Sequence, residues 1–146
     1  MSRAPLIAAA LFSLILLGQA EAADTAKITQ PDAFTWQPAQ GLPPGADVTV
    51  LYGDPSKEGP FAIRFKFPAG YEIATHSHST AEFITVLSGK GRMTFGEKAD
   101  ASAAEPLLAG AFMSLPAGSW HHLWADEATV VELHSTGPFD VHMATQ

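Results

Sequence analysis

From about residue 46 onward the chain is a succession of short apolar stretches cut by Gly and Pro. In 61–67, Phe61, Ile63, Phe65 and Phe67 alternate with Ala62, Arg64 and Lys66; in 129–134, Val131 and Leu133 alternate with Glu132 and His134. A period of two is that of a strand, whose successive side chains point to opposite faces. Nine stretches qualify: 47–52, 61–67, 72–78, 83–87, 91–95, 111–115, 121–124, 129–134 and 140–143. Turn signals stand between them at Asp54-Pro55, Pro68-Ala69-Gly70, Ser88-Gly89-Lys90-Gly91, Pro116-Ala117-Gly118 and Gly137-Pro138. Residues 98–105 suit a loose helical turn or loop, and there is no internal repeat. Many short strands without a convincing helix predict an all-β sandwich or barrel, one domain over 46–146. Ahead of it, 23–45 carries Pro, Gln and the isolated aromatics Phe34 and Trp36. This segment is expected to be an extended arm whose aromatics pack on the domain.

The first 22 residues follow a different logic. Arg3 gives a short basic start, 6–17 is an uncharged apolar run, and Ala20-Glu21-Ala22 places small residues at the two positions a signal peptidase reads. Together these predict a secretory signal peptide, cleaved before Ala23, and a periplasmic or secreted mature chain. The apolar run falls short of the ~20 residues a membrane helix needs. With no cysteine there is neither a lipid-modified anchor nor a disulfide, so stability outside the cytoplasm must come from the core.

Composition removes several function classes. At 146 residues and 47% hydrophobic content the chain can bury a real core. Its net charge of −7, with eight Lys and Arg scattered singly, provides no footprint for nucleic acid.

Six histidines are present, and two of them stand in "HSHSTAE", from His76 to Glu82. On a strand His76 and His78 project from one face, roughly 7 Å apart along the backbone. Glu82 opens the next apolar stretch, and a hairpin there would carry it back alongside them. A third nitrogen is available from His121 in "PAGSWHHLW". Three imidazoles and one carboxylate suit a divalent transition metal (Fe, Mn, Ni, Co, Cu or Zn), the softest choices losing ground without a thiolate. On an ion that prefers six ligands, two positions stay open.

These residues resemble the two motifs of the cupin family. The first reads Gly70-YEIAT-His76-Ser-His78-STA-Glu82-FITVLS-Gly89, and the second reads Gly110-AFMSL-Pro116-Ala-Gly118-SW-His121-HLW-Ala125. One marked position departs, Ala125 standing where the family usually has Asn, which is not a metal ligand. The resemblance implies a single-domain jelly roll with the metal inside its mouth, held by His76, His78, Glu82 and His121. Gly89 and Gly118 sit at turns that require positive φ, and Pro116 fixes the angle at which the chain approaches its turn.

The remaining polar residues give further expectations. His122 alternates with His121 and is expected outward, at the surface. Glu132 and His134 share one strand face, and alternation alone leaves open which face looks inward. Were it theirs, His134 would carry a proton near the metal, and Arg64 would hold a substrate carboxylate. Cupins span oxygenases, isomerases, lyases, regulators and binding proteins. The expected function is a metal-dependent, dioxygenase-like oxidoreductase acting on a small molecule. An isomerase or lyase, or an exported binding protein without turnover, stands behind it. The resemblance further implies a homodimer, with Phe34 and Trp36 as apolar material for the contact.

Overall fold

In the computed structural model, which describes residues 25–145, the nine alternating stretches form strands, joined by two that the pattern does not predict, for eleven in two antiparallel sheets. In chain order they are β1 (Gln37–Pro38), β2 (Asp47–Tyr52), β3 (Gly59–Phe67), β4 (Tyr71–Ser77), β5 (Glu82–Ser88), β6 (Lys90–Phe95), β7 (Glu105–Leu108), β8 (Phe112–Leu115), β9 (His121–Ala125), β10 (Thr129–Gly137) and β11 (His142–Met143). One sheet runs β1-β2-β3-β10-β5-β8 and the other β11-β4-β9-β6-β7. Face to face they make a cupin jelly roll. The proposed signal peptide, 1–22, lies outside the described residues.

Apolar faces turn inward on both sheets. Phe61, Ile63 and Phe67 of β3, Ile84 and Val86 of β5, Met93 of β6, Leu123 of β9, and Val131 and Leu133 of β10 are all buried. Each such side chain contributes ~1.5–3 kcal/mol relative to exposure. Because the interior takes this face of β3 and β10, their other face must look out. Thus Arg64, Glu132 and His134 lie outside the barrel. There Arg64 Nε donates to Glu132 Oε2 at 2.7 Å, and His134 Nε2 meets Glu132 Oε1 at 2.8 Å.

The arm packs on its own domain, as expected. Arg64 lies over the Phe34 ring at 5.0 Å and Lys66 over Trp36 at 3.7 Å, both cation–π distances. The Tyr71 hydroxyl donates to the Pro43 carbonyl, and Ala39 joins the core. Phe34 and Trp36 are thus both engaged with cations of their own chain.

Two elements differ from expectation. Residues 98–105 contain the anticipated turn, a 3-10 helix at Ala101–Ala103 capped by Asp100, but β7 follows at once. Pro106 hid that strand; it is tolerated because β7 is the sheet edge. The hairpin expected between His78 and Glu82 does not form either. β4 and β5 belong to different sheets, so the connection crosses the barrel and Glu82 faces the histidines from the opposite wall.

Candidate metal centre

The placement of His76 and His78 depends on a break in alternation. Along β4, Tyr71 and Ile73 point to the core, so unbroken alternation would turn His76 and His78 outward. The β4–β9 register shifts between Ile73 and His76, inserting one extra residue at Ala74-Thr75. This β-bulge resets the parity, so the core pair and the histidine pair share the inner face. His76 then lies directly across from His121 on β9. From outside, the Thr75 hydroxyl reaches His122 Nδ1 at 3.2 Å, and His122 Nε2 meets Glu72 Oε1 at 2.7 Å. His122 points away from the interior as expected, but it is buried rather than surface-exposed, stacked on Trp124 at 4.0 Å.

His76, His78 and His121 bring one nitrogen each within 4.8 Å of the others. Their second nitrogens are held by backbone. Nδ1 of His76 donates to the Ala74 carbonyl at 2.8 Å, Nδ1 of His121 to the Ser119 carbonyl at 2.9 Å, and Nδ1 of His78 to the Asp140 carbonyl. A carbonyl only accepts, so each Nδ1 carries the hydrogen and each Nε2 lone pair is left for the interior. The carbonyls set ring tautomer and direction, the part outer partners play around a metal. Phe139 stacks on His78 at 4.4 Å and fixes it further. Across the cavity, Glu82 Oε1 lies 3.4 Å from His78 Nε2 and Oε2 lies 3.6 Å from His121 Nε2.

Burial sets the protonation of these groups. Desolvation holds the His76 imidazole down to about 3 and the His121 imidazole to about 4, each further opposed by neighbouring histidines. It lowers His78 as well and pushes the Glu82 carboxyl up to about 8. The imidazoles are thus neutral at ordinary pH, with no proton for a metal to displace, while Glu82 lacks a compensating cation. Three neutral nitrogen donors beside a carboxyl in need of positive charge fit a divalent transition ion. Loading such an ion below pH ~8 is expected to release about one proton per site, from Glu82. Apparent metal affinity should therefore rise with pH and level off above about 8. Titration calorimetry in buffers of different ionisation enthalpy measures that release, and Glu82→Gln should abolish it.

The donors sit in a cavity of about 380 Å³ between the sheets. Phe65, Val131, Leu133, Phe139 and Val141 contribute to its wall, and the arm residues Gln37 and Gln40 stand exposed at its margin. Arg64, Glu132 and His134 are not among its lining, so the roles expected for His134 and Arg64 at the metal are corrected. The reason is physical: the apolar face of β3 and β10 takes the interior. His134 instead borders a separate outer depression of about 510 Å³, together with Tyr52 and Phe83. Accordingly, His134→Ala should leave metal content and any metal-dependent turnover unchanged, measured by elemental analysis and by assay of the same sample.

Sequence reasoning passed over Asp140, Phe139 and the bulge, which act through a carbonyl, a ring stack and a register shift rather than a motif position. Ala125 at the departing motif position is buried in the core, 1% exposed, between Tyr71 and Gly91 in the sheet.

Solved structures share this architecture. The polyketide cyclase RemF from Streptomyces resistomycificus superposes with a TM-score of 0.70 at 14% identity, over 84% of this chain and 87% of that one. A candidate acetylacetone dioxygenase from Methylibium petroleiphilum PM1 gives 0.65 at 20% identity, covering 82% and 83%. A sugar phosphate isomerase of the cupin superfamily from Silicibacter pomeroyi gives 0.65 at 14% identity, covering 82% and 83%. At these identities the likeness is one of fold. No curated protein sequence matches the chain. The family model for the ChrR cupin-like domain matches residues 24–140, most of the length, and the chain belongs to that family.

Proposed function

We propose that this protein is a metal-dependent enzyme of the oxidoreductase type, dioxygenase-like, acting on a small organic molecule at a centre of His76, His78, Glu82 and His121. The observation that carries this is the convergence of three backbone-oriented imidazoles within 4.8 Å, inside a cavity large enough for a ligand beside the ion. Cavities of ~300–1,000 Å³ are the usual size for small-molecule sites. Four protein donors leave open positions on an ion that prefers six, and the ion supplies Lewis acidity or access to oxygen chemistry there. The chain's own part is to hold the imidazoles neutral and aimed, set one carboxylate opposite them, and exclude bulk water with an apolar wall. The candidate acetylacetone dioxygenase among its structural neighbours accords with this chemistry.

The test is oxygen consumption and product formation by the metal-loaded protein across flavonoids, thiols, diketones and keto-sugars. Turnover that disappears in His121→Ala supports the proposal. Fully metallated protein that converts none of them and takes up no oxygen favours a binding protein without turnover. The enzyme works after export in this proposal, so its mature N-terminus is Ala23. N-terminal sequencing of protein from a periplasmic or extracellular fraction checks it, and a cytoplasmic chain retaining Met1 would contradict it.

A further inference from the structure

Among the described residues, the ionisable side chains that line the cavity are His76, His78, Glu82 and His121, the four of the centre itself. No Lys, Arg or Asp joins them, and no Ser, Thr or Tyr hydroxyl does either. The rest of the wall is hydrocarbon and aromatic, with two amides, Gln37 and Gln40, exposed at the margin. Arg64 and Lys66, the cations nearest in sequence to the wall of β3, are turned outward under Phe34 and Trp36. A ligand carboxylate or phosphate that entered would lose its hydration and find no cation except at the metal end, and an unpaired buried charge is strongly disfavoured. An apolar body would instead exchange water for matching wall.

We infer that the ligand of this site is an uncharged, largely apolar small molecule bearing its oxygen atoms at one end, and that organic acids and phosphorylated sugars are rejected. This rests on the metal-site proposal for the end that receives the oxygens, while the selection of the apolar body rests on the wall alone. It separates this chain from the sugar phosphate isomerase that shares its fold, since a phosphate needs a cationic or donor-rich pocket that is missing here.

The inference is tested by titration calorimetry on the full mature chain, with naphthol and phenylpropanedione as neutral probes and succinate and glucose phosphate as charged ones. Metal content is measured on each sample. The neutral probes are expected to bind at least about tenfold tighter than the charged ones, in keeping with the penalty on unpaired buried charge. Val50 lines the cavity and is 45% exposed, so Val50→Lys places a cation at the edge without disturbing the core. That variant should narrow the ratio severalfold at unchanged metal content. Charged probes that bind as tightly as neutral ones, neutral probes that do not bind, or a ratio unmoved by Val50→Lys would overturn the inference. The two proposals fail separately. Protein that takes up no metal but still prefers the neutral probes contradicts the metal enzyme and keeps the apolar selection, and fully metallated protein that prefers the anions does the reverse.

Discussion

Alanine at His78 or His121 is expected to weaken metal binding by more than ~100-fold, because even loss of an outer partner of a ligand costs 10–100-fold and here a direct donor is removed. The remaining donors cannot close the gap. His76 and His121 are fixed across from each other by the β4–β9 register, and Glu82 comes from the opposite sheet. Backbone carbonyls hold the rings in place, so no donor can swing to replace another. His134, exposed on the outer face beside Glu132, supplies the control, since His134→Ala removes an imidazole without touching the centre. Elemental analysis after dialysis should find metal lost in the first two variants and retained in the third. A His78→Ala/His121→Ala double variant that kept a full complement of metal would refute the assignment of these ligands.

The second large effect concerns the backbone. Gly89→Ala is expected to destabilise the fold by ~3 kcal/mol or more, above the ordinary range for a point substitution. Gly89 joins β5 to β6, where the chain passes from one sheet to the other, and its φ is +84°, a conformation that disfavours a side chain. An added Cβ would lie 2.2 Å from the Ala128 carbonyl oxygen and 2.7 Å from Thr129 Cα, so backbone on both sides would have to move. Gly110 separates the two causes. Its φ is +89°, yet a Cβ there meets nothing within 4 Å, so Gly110→Ala should cost only the conformational part, about 1 kcal/mol. Thermal unfolding should show Gly89→Ala losing roughly 10 °C and Gly110→Ala a few degrees. Equal losses would mean that the contact with Ala128 does not matter.

Much of this architecture was legible because it depends on residue types that cannot easily be exchanged. His76, His78, Glu82 and His121 declared themselves by chemistry and spacing, and Gly89 and Gly118 by turns whose φ values are +84° and +75°. What stayed hidden depends on geometry that leaves little mark on composition. Ala74 and Thr75 are ordinary strand residues, yet the bulge they form decides whether the histidines face in or out. Pro106 argues against a strand and is acceptable only because β7 lies at an edge, a fact of topology. The faces of β3 and β10 were ambiguous because apolar side chains alternate there with Arg64 and Lys66 in one strand and with Glu132 and His134 in the other. Packing resolves them: Ile63, Phe65 and Phe67 line the interior, and Arg64 and Lys66 find partners outside in Phe34 and Trp36. Those partners come from 25 or more residues earlier in the chain, beyond the reach of local pattern.

The most direct test of the central claim is a crystal structure of the protein isolated from its native compartment, with anomalous diffraction collected at the absorption edge of whichever metal it carries. The account predicts one anomalous peak per chain between the sheets, bonded to Nε2 of His76, His78 and His121 and to a carboxylate oxygen of Glu82. A protein whose cavity holds no metal, or whose metal sits elsewhere with these four side chains unliganded, would contradict it.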